Sequence, residues 1–326
     1  YSSDYLRKFY NSYSAEADFV GGTERARFYA QAGIQNNNSL LNFGEGKKEG
    51  TTRFNVRGNV DLNLNDYIKT YVNVSTVFYN NHSALGDFWN KARTIQPHRY
   101  SPLIPIDMID PSNPSLQLQI KNSRHLIDGK YLLGGSQQYL TNPIADAYAG
   151  GYIAYTSRQF QFTGGLDINL SQVLKGLSFH GAMSIDYSNT YNESVNNTYA
   201  VYVADWGKGD QGTDIINNLT KHNKDMNTGT QNLSDSWNHQ TIDFNMHLDY
   251  TNTFREKHNV SAILLAAATR MRQTGDFQYE TNANMGLQLN YNFSHTYYAS
   301  FGGALVNSTR LASGNRLAFS PTVGLG

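Results

Sequence analysis

The sequence predicts an all-β fold, namely an antiparallel transmembrane β-barrel of about eleven strands. Three observations lead to this class. Apolar and polar residues alternate with a period of two over long segments. Only 16% of the 326 residues are charged, against roughly 25% in soluble domains. The connections between the alternating segments are short and long in turn, as they are in outer-membrane barrels.

The alternation is clearest between residues 53 and 64. One set of alternate positions is apolar: Phe54, Val56, Val60, Leu62 and Leu64. The other set carries charged or amide side chains: Arg53, Asn55, Arg57, Asn59 and Asp61. Successive side chains of a strand point to opposite faces of the sheet, so this segment has one apolar and one polar face. A strand with two arginines on one face requires water there, which a wide barrel lumen supplies.

The same pattern predicts eleven strands, most of them longer than the ~5–6 residues usual in soluble proteins. They cover residues 13–20, 24–35, 52–64, 68–79, 152–170, 177–189, 240–251, 259–270, 282–293, 297–308 and 316–325. A tilted strand that crosses a membrane needs ~9–11 residues, which most of these segments supply.

The connections between the predicted strands are of two kinds. Every second one is a turn of a few residues, and long connections lie between these turns. We predict long extracellular loops at about 36–51, 80–151 and 190–239. Loops of this length count against a compact soluble fold. On the rim of a barrel they are ordinary and commonly carry the function.

The composition excludes several classes of function. Lys+Arg is 26 and Asp+Glu is 26, so the chain lacks the cationic surface of a nucleic-acid-binding protein. With no cysteine, the chain has no disulfide, no thiolate metal site and no cysteine nucleophile. Gly-x-Ser-x-Gly, His-Glu-x-x-His and Walker A motifs are absent from the sequence as well. We therefore predict a protein that is not an enzyme and has no cofactor.

Four short motifs occur in order along the chain. Residues 21–25 read Gly-Gly-Thr-Glu-Arg and precede a strand, and residues 142–143 read Asn-Pro. Residues 174–179 read Leu-Lys-Gly-Leu-Ser-Phe, and residues 316–326 read Arg-Leu-Ala-Phe-Ser-Pro-Thr-Val-Gly-Leu-Gly. Together they resemble motifs of the SusC/RagA family of TonB-linked outer-membrane transporters. Ile34 departs from the family's Tyr, and Ser320 stands between the Phe and the Pro of the last motif.

The resemblance implies a TonB-dependent importer of glycan or peptide fragments in the bacterial outer membrane. It implies a SusD-like surface lipoprotein as a lid, and energy coupling through TonB-ExbB-ExbD. By position the motifs belong to the first half of a 22-stranded barrel. We therefore expect residues 1–326 to form a partial barrel in the lipid bilayer, without the plug, the N-terminal domain and the last strands. The residues alone leave three alternatives open: a passive porin, a surface adhesion barrel, or a soluble β-rich binding domain.

The polar positions supply the first set of candidate site residues. We expect these side chains to face the lumen or a plug: Arg25, Arg27, Arg53, Asn55, Arg57, Asn59 and Asp61. The alternative is a solvated wall in which charges pair across strands.

The long loops supply the second set, because they combine aromatic rings with arginine and amide groups. Such groups suit carbohydrate binding, and they are equally the anchors of protein interfaces. The candidates for contact with substrate or lid are Trp89, His98, Arg99, Tyr100, Tyr139, Trp206 and Trp237. Packing of the loops against one another is the alternative.

No metal site is predicted from the sequence. His180 and His247 fall on polar positions of separate strands, and we interpret them as single residues of the lumen wall. Residues 205–214 contain three aspartates among glycines, and calcium prefers such oxygen-rich loops. Their spacing does not fit an EF-hand loop, so a flexible turn is the favoured interpretation.

Overall fold

The computed structural model describes residues 6–209, 212–226 and 229–326. In this part of the chain the strands are Ser12–Gly22 (β1), Ala26–Asn38 (β2), Gly50–Asn63 (β3), Ile68–Ala84 (β4), Leu103–Pro105 (β5), Leu126–Ile127 (β6), Tyr131–Leu133 (β7), Gly151–Asn169 (β8), Leu177–Asn196 (β9), Val201–Lys208 (β10), Asp214–His222 (β11), Thr230–Phe254 (β12), His258–Gln273 (β13), Glu280–Phe293 (β14), Tyr297–Ser308 (β15) and Leu317–Leu325 (β16). The α-helices are Phe88–Lys91 (α1), Pro114–Lys121 (α2) and Pro143–Ala149 (α3).

The main sheet has 11 strands in the order β1-β2-β3-β4-β8-β9-β12-β13-β14-β15-β16. Each strand pairs antiparallel with the next one, as in an up-and-down barrel. All the predicted strands are present, and the predicted all-β antiparallel fold is confirmed. Long connections separate β2 from β3 (residues 39–49, the first long loop), β4 from β8 (85–150, the second) and β9 from β12 (197–229, the third).

The pairing register brings the polar positions of neighbouring strands onto one face. Arg57 of β3 stands opposite Gln31 of β2 and Ser75 of β4. The apolar positions share the other face, where Phe54 is opposite Phe78 with ring centroids 6.1 Å apart. A shift of one residue in the pairing register would place the polar side chains of one strand on the apolar face of its neighbour. The observed register therefore agrees with the alternation in the sequence.

Several strands extend further toward the long loops than the alternation predicts. β4 continues to Ala84, β9 to Asn196, and β12 begins at Thr230 rather than at residue 240. These extensions are rich in Asn, Ser and Thr and lack an apolar stripe. Backbone pairing does not require such a stripe where both faces meet water, so periodicity alone misses this part of a strand.

The buried apolar side chains lie in the long loops and at the strand ends that support them. Among the described residues, the fully buried large side chains are Tyr202, Leu41, Ile104, Leu116, Ile127, Leu132, Leu133, Ile216 and Val201. β10 and β11 form a hairpin, and β5, β7 and β6 form a small sheet. Bridges from Ile109 to Ile216 and from Gly134 to Tyr202 join the second loop to the third. The loops thus form a packed cap on one end of the main sheet.

Helix α3 is the centre of this loop cap. Ala145 and Ala149 pack with Tyr199 of the third loop, whereas Ala147 packs with Leu41 of the first loop. Gly44 allows the close approach of the first loop to the helix. It has a φ of +51°, and a Cβ there would lie 2.2 Å from the Ala147 carbonyl oxygen. One helix therefore holds all three long loops together.

Candidate functional site

Asn142 explains the Asn-Pro motif in structural terms. It is 2% exposed and precedes α3 as its N-cap residue. Its side-chain oxygen accepts a hydrogen bond from Ala145 N at 2.9 Å, and its amide donates to Gly134 O at 2.7 Å. Pro143 is well placed at the first helical turn because its missing N–H is not needed there. The motif therefore both starts the helix and attaches it to the preceding segment.

A buried hydrogen bond connects the second and third long loops. Tyr199 Oη donates to Asp146 Oδ1 at 2.6 Å. Burial raises the pKa of Asp146, while the bond from Tyr199 and the nearby Lys91 act in the opposite direction. Burial also raises the pKa of Tyr199, and the negative charge of Asp146 adds to the shift. The tyrosine therefore stays protonated and remains a donor.

Three of the predicted loop residues form one cluster. Tyr100 and Tyr139 stack with ring centroids 5.3 Å apart. Arg99 donates a hydrogen bond to Tyr139 Oη, and its guanidinium carbon lies 6.0 Å from the centroid of that ring. His98 is exposed beside the cluster. The three clustered side chains thus contact one another within the second long loop.

Trp89 lies apart from that cluster, over a groove at the loop end of β1–β4. Its ring is 51% exposed and packs edge-on against Phe88, which in turn packs against Phe43. The groove has a volume of about 580 Å³, and its polar and aromatic wall includes Tyr10, Asn37, Asn38, Glu49, Tyr79, Asn81 and His82. Aromatic faces beside amide groups can hold either a sugar ring or a peptide. The sequence did not connect Trp89 with these residues because they come from four separate segments.

The other two predicted tryptophans are not part of the groove. Trp206 is 48% exposed on β10, at an irregularity of the β10–β11 hairpin. Trp237 lies on β12 and stacks against His239, with centroids 5.5 Å apart and an angle of 7°. The sequence-predicted loop residues therefore divide among four places.

The residues of the predicted ladder on β3 lie on the polar face of the main sheet. Asp61 stands opposite Arg27, and Asn59 opposite Asn73. Arg57 and Asn59 line a small cavity of about 330 Å³ with residues of β4 and β8. Arg53 stands opposite Gln35, and Asn55 opposite Gly33. Arg25 is in the turn before β2, where its backbone N–H donates to Thr23 Oγ1 at 3.2 Å.

The interpretation of His180 and His247 as single wall residues is wrong. The register between β9 and β12 places them opposite each other, and their rings stack with centroids 4.8 Å apart. Asp249 Oδ2 lies 3.1 Å from His247 Nε2 and 3.6 Å from His180 Nε2. Spacing along the chain gave no signal of this group, because a long loop separates the two strands.

The aspartates of residues 205–214 do not converge in the described part of the chain. Asp214 pairs with Lys208 Nζ at 2.6 Å, and Asp205 accepts a hydrogen bond from Asn218 at 3.0 Å. Asp210 lies outside the described residues. Among the helices described, none has the length and apolarity to cross a membrane.

The antiparallel main sheet, its segregated faces and its loop cap define an up-and-down sheet of the kind that forms outer-membrane β-barrels. Solved structures share this fold. The RagAB peptide transporter matches with a TM-score of 0.59 and 17% identity, covering 99% of this chain and 34% of that chain. The RagAB peptide importer matches in its closed-closed state (TM-score 0.55, 15% identity) and its open-open state (0.53, 15%), each over 99% of this chain and 34% of that chain.

The chain thus spans about a third of the length of the structures that it matches. No protein-family model matches the sequence. No curated protein matches it either. At these identities the likeness concerns the fold alone.

Proposed function

We propose that this chain is the barrel part of a TonB-dependent importer in the bacterial outer membrane, which takes up glycan or peptide fragments as a SusC-like component. One observation carries the proposal. The 11-stranded meander, with its long loops gathered at one end, has the fold of the RagAB peptide importer over 99% of the chain. The other features support the same role.

The apolar face of the main sheet supports a place in the bilayer. Large apolar side chains on this face are exposed, among them Phe160 (39%), Phe244 (52%), Met246 (52%) and Met285 (54%). Soluble proteins rarely expose an apolar patch larger than a few hundred Å². A membrane-spanning sheet requires such a face, and the opposite polar face then lines the lumen.

The loop cap supports capture of a solute at the outer surface. We propose the groove under Trp89 as a contact site for the solute, because it combines an exposed ring with several amide groups. The Arg99–Tyr100–Tyr139 cluster and Trp206 lie on other parts of the cap. We propose these as contacts for a SusD-like surface lipoprotein, since Trp, Tyr and Arg are frequent interface anchors.

The polar ladder supports a route through the lumen. Arg27, Arg53, Asn55, Arg57, Asn59 and Asp61 present charges and amides along the polar face. We propose that Arg25 and the ladder contact a plug, which TonB-ExbB-ExbD would displace to let the solute pass.

Extraction of native membranes in mild detergent tests this proposal. Mass spectrometry should find this sequence within a longer chain that includes a plug, in a complex with a surface lipoprotein at similar stoichiometry. Uptake of the solute should stop when TonB is deleted. Uptake that continues without TonB would instead identify a passive porin. Recovery of the chain in the aqueous fraction would refute the membrane location.

A further inference from the structure

We infer that His180, His247 and Asp249 form a binding site for a divalent transition-metal ion, with zinc as the fitting occupant. The ligand atoms of the three side chains all lie within 4.8 Å of one another. The site lies on the polar face, near the short turns that follow β8 and β12. It does not depend on the proposed import function.

The distances from Asp249 to the two imidazoles fit a single ion, and the ligand nitrogens of the two imidazoles lie within 4.8 Å of each other. Donors about 2.0–2.1 Å from a tetrahedral zinc ion are about 3.3 Å apart. Asp249 Oδ2 lies 3.1 Å from His247 Nε2 and 3.6 Å from His180 Nε2, on either side of that value. Two imidazoles and one carboxylate are a ligand set that zinc accepts.

A second carboxylate orients one of the imidazoles. Asp167 Oδ1 lies 2.7 Å from His180 Nδ1, on the neighbouring strand β8. With the Nδ1 proton held there, neutral His180 presents a lone pair at Nε2. This is the carboxylate–histidine–metal arrangement of many zinc sites, in which an outer carboxylate fixes the tautomer of the ligand.

The Asp249 carboxylate places a negative charge beside the two imidazoles, where a cation would be attracted. The two rings are stacked at an angle of 20°, so binding of one ion requires them to rotate until their in-plane lone pairs converge.

The site is open on one side. The side chains of His180, His247 and Asp249 are 37%, 35% and 29% exposed. Ser178 Oγ is hydrogen-bonded to His180 Nε2 at 3.3 Å, and a bound ion would replace this contact. A bound ion would thus have three protein ligands and one position for water, and it would exchange with the solution.

Zinc titration of the protein purified in detergent, after treatment with a chelator, tests the inference. We expect one zinc ion whose binding weakens at least tenfold in His180→Asn and in His247→Asn. Asp167→Asn should weaken binding about 10- to 100-fold without abolishing it, because it acts through His180. His239→Asn is the matched control, since His239 lies on the same face of β12 but outside the group.

Two results would overturn the inference. One is the absence of zinc binding in the wild-type protein at pH 7.5. The other is binding that is equally tight in His180→Asn and His247→Asn. X-ray absorption at the zinc edge of the wild-type protein covers the case in which a variant does not fold. Two imidazole nitrogens in the first coordination sphere are expected, and a sphere without imidazole would refute the site.

Discussion

Tyr199 donates a hydrogen bond of 2.6 Å to Asp146, and this contact connects two loops that leave the sheet at different strands. Tyr199 is 3% exposed, so the contact is shielded from water. Asp146 belongs to α3, which also contacts the first long loop through Ala147. The bond therefore lies on the helix at which all three long loops meet.

Replacing Tyr199 with Phe should loosen the cap. The ring remains in its apolar cluster, but the Asp146 carboxylate loses its buried partner, which costs about 1–3 kcal/mol. Hydrogen exchange of α3 and of the third long loop measures the change. Tyr13→Phe, on the exposed strand β1, is the control and should leave the exchange unchanged. Equal protection in Tyr199→Phe and wild type would show that the bond contributes nothing.

The stability of the cap should depend on pH through Asp146. Its native pKa is raised by burial above the ordinary value of 3.8, so the native loops bind this proton more tightly than unfolded loops do. The contribution of Asp146 to stability is therefore greatest below pH 3.8 and falls as the pH rises through the native pKa. In Asp146→Asn this slope should disappear, while the amide oxygen still accepts the bond from Tyr199. Loop opening measured against pH by hydrogen exchange compares the two proteins, and parallel profiles would contradict the assignment.

Replacing Asn142 with Ala should cost more than removal of an ordinary helix cap. The change removes the cap of α3, worth about 0.5–2 kcal/mol, and also leaves the Gly134 carbonyl without its donor. Asn113→Ala is the matched variant, because Asn113 caps α2 by bonds to Ser115 N and Leu116 N. Limited proteolysis of the second long loop should be faster in Asn142→Ala than in Asn113→Ala. Faster proteolysis in Asn113→Ala than in Asn142→Ala would mean that the hydrogen bond to Gly134 contributes little to stability.

Replacing Trp89 with Ala should weaken solute binding by at least about tenfold, equivalent to about 1.4 kcal/mol. The ring forms an exposed wall of the groove, whereas Phe88 beside it provides the packing against Phe43. Calorimetric titration with a panel of oligosaccharides and peptides measures the affinity and identifies the solute class. Trp206→Ala removes a tryptophan of similar exposure elsewhere in the cap, and it should leave the affinity unchanged. A loss of affinity in Trp206→Ala but not in Trp89→Ala would indicate that the solute binds at the β10–β11 hairpin.

Neighbouring residues of β12 test which face meets lipid. Phe244→Arg should destabilise the barrel in the membrane by about 2–4 kcal/mol if this position lies near the bilayer midplane. Asn245→Arg places the same charge one residue further, on the polar face, and should be tolerated. The amount of folded protein in the membrane fraction measures both. Equal tolerance of the two changes would contradict the bilayer assignment.

The sequence was informative about the sheet because the membrane-type alternation is a local signal. The residue types at positions such as Phe54 and Arg57 predict which face of the sheet each side chain occupies. This prediction needs no information about which strand lies beside β3. The contacts that matter for chemistry are of another kind. His180 and His247 meet only because β9 and β12 pair across the third long loop, and Trp89 meets Asn37 and Asn81 only after the loops pack. The periodicity of a sequence does not predict which distant segments of the chain come into contact.

The single helix that holds all three loops has a consequence for the order of folding. Leu41, Ala147 and Tyr199 come from segments far apart in the chain, and the pairing of β2, β4, β8 and β9 brings these segments together. Late contacts between distant segments carry a large cost in chain entropy. The cap should therefore form last, and in the folded protein it should open as one cooperative unit before the sheet does.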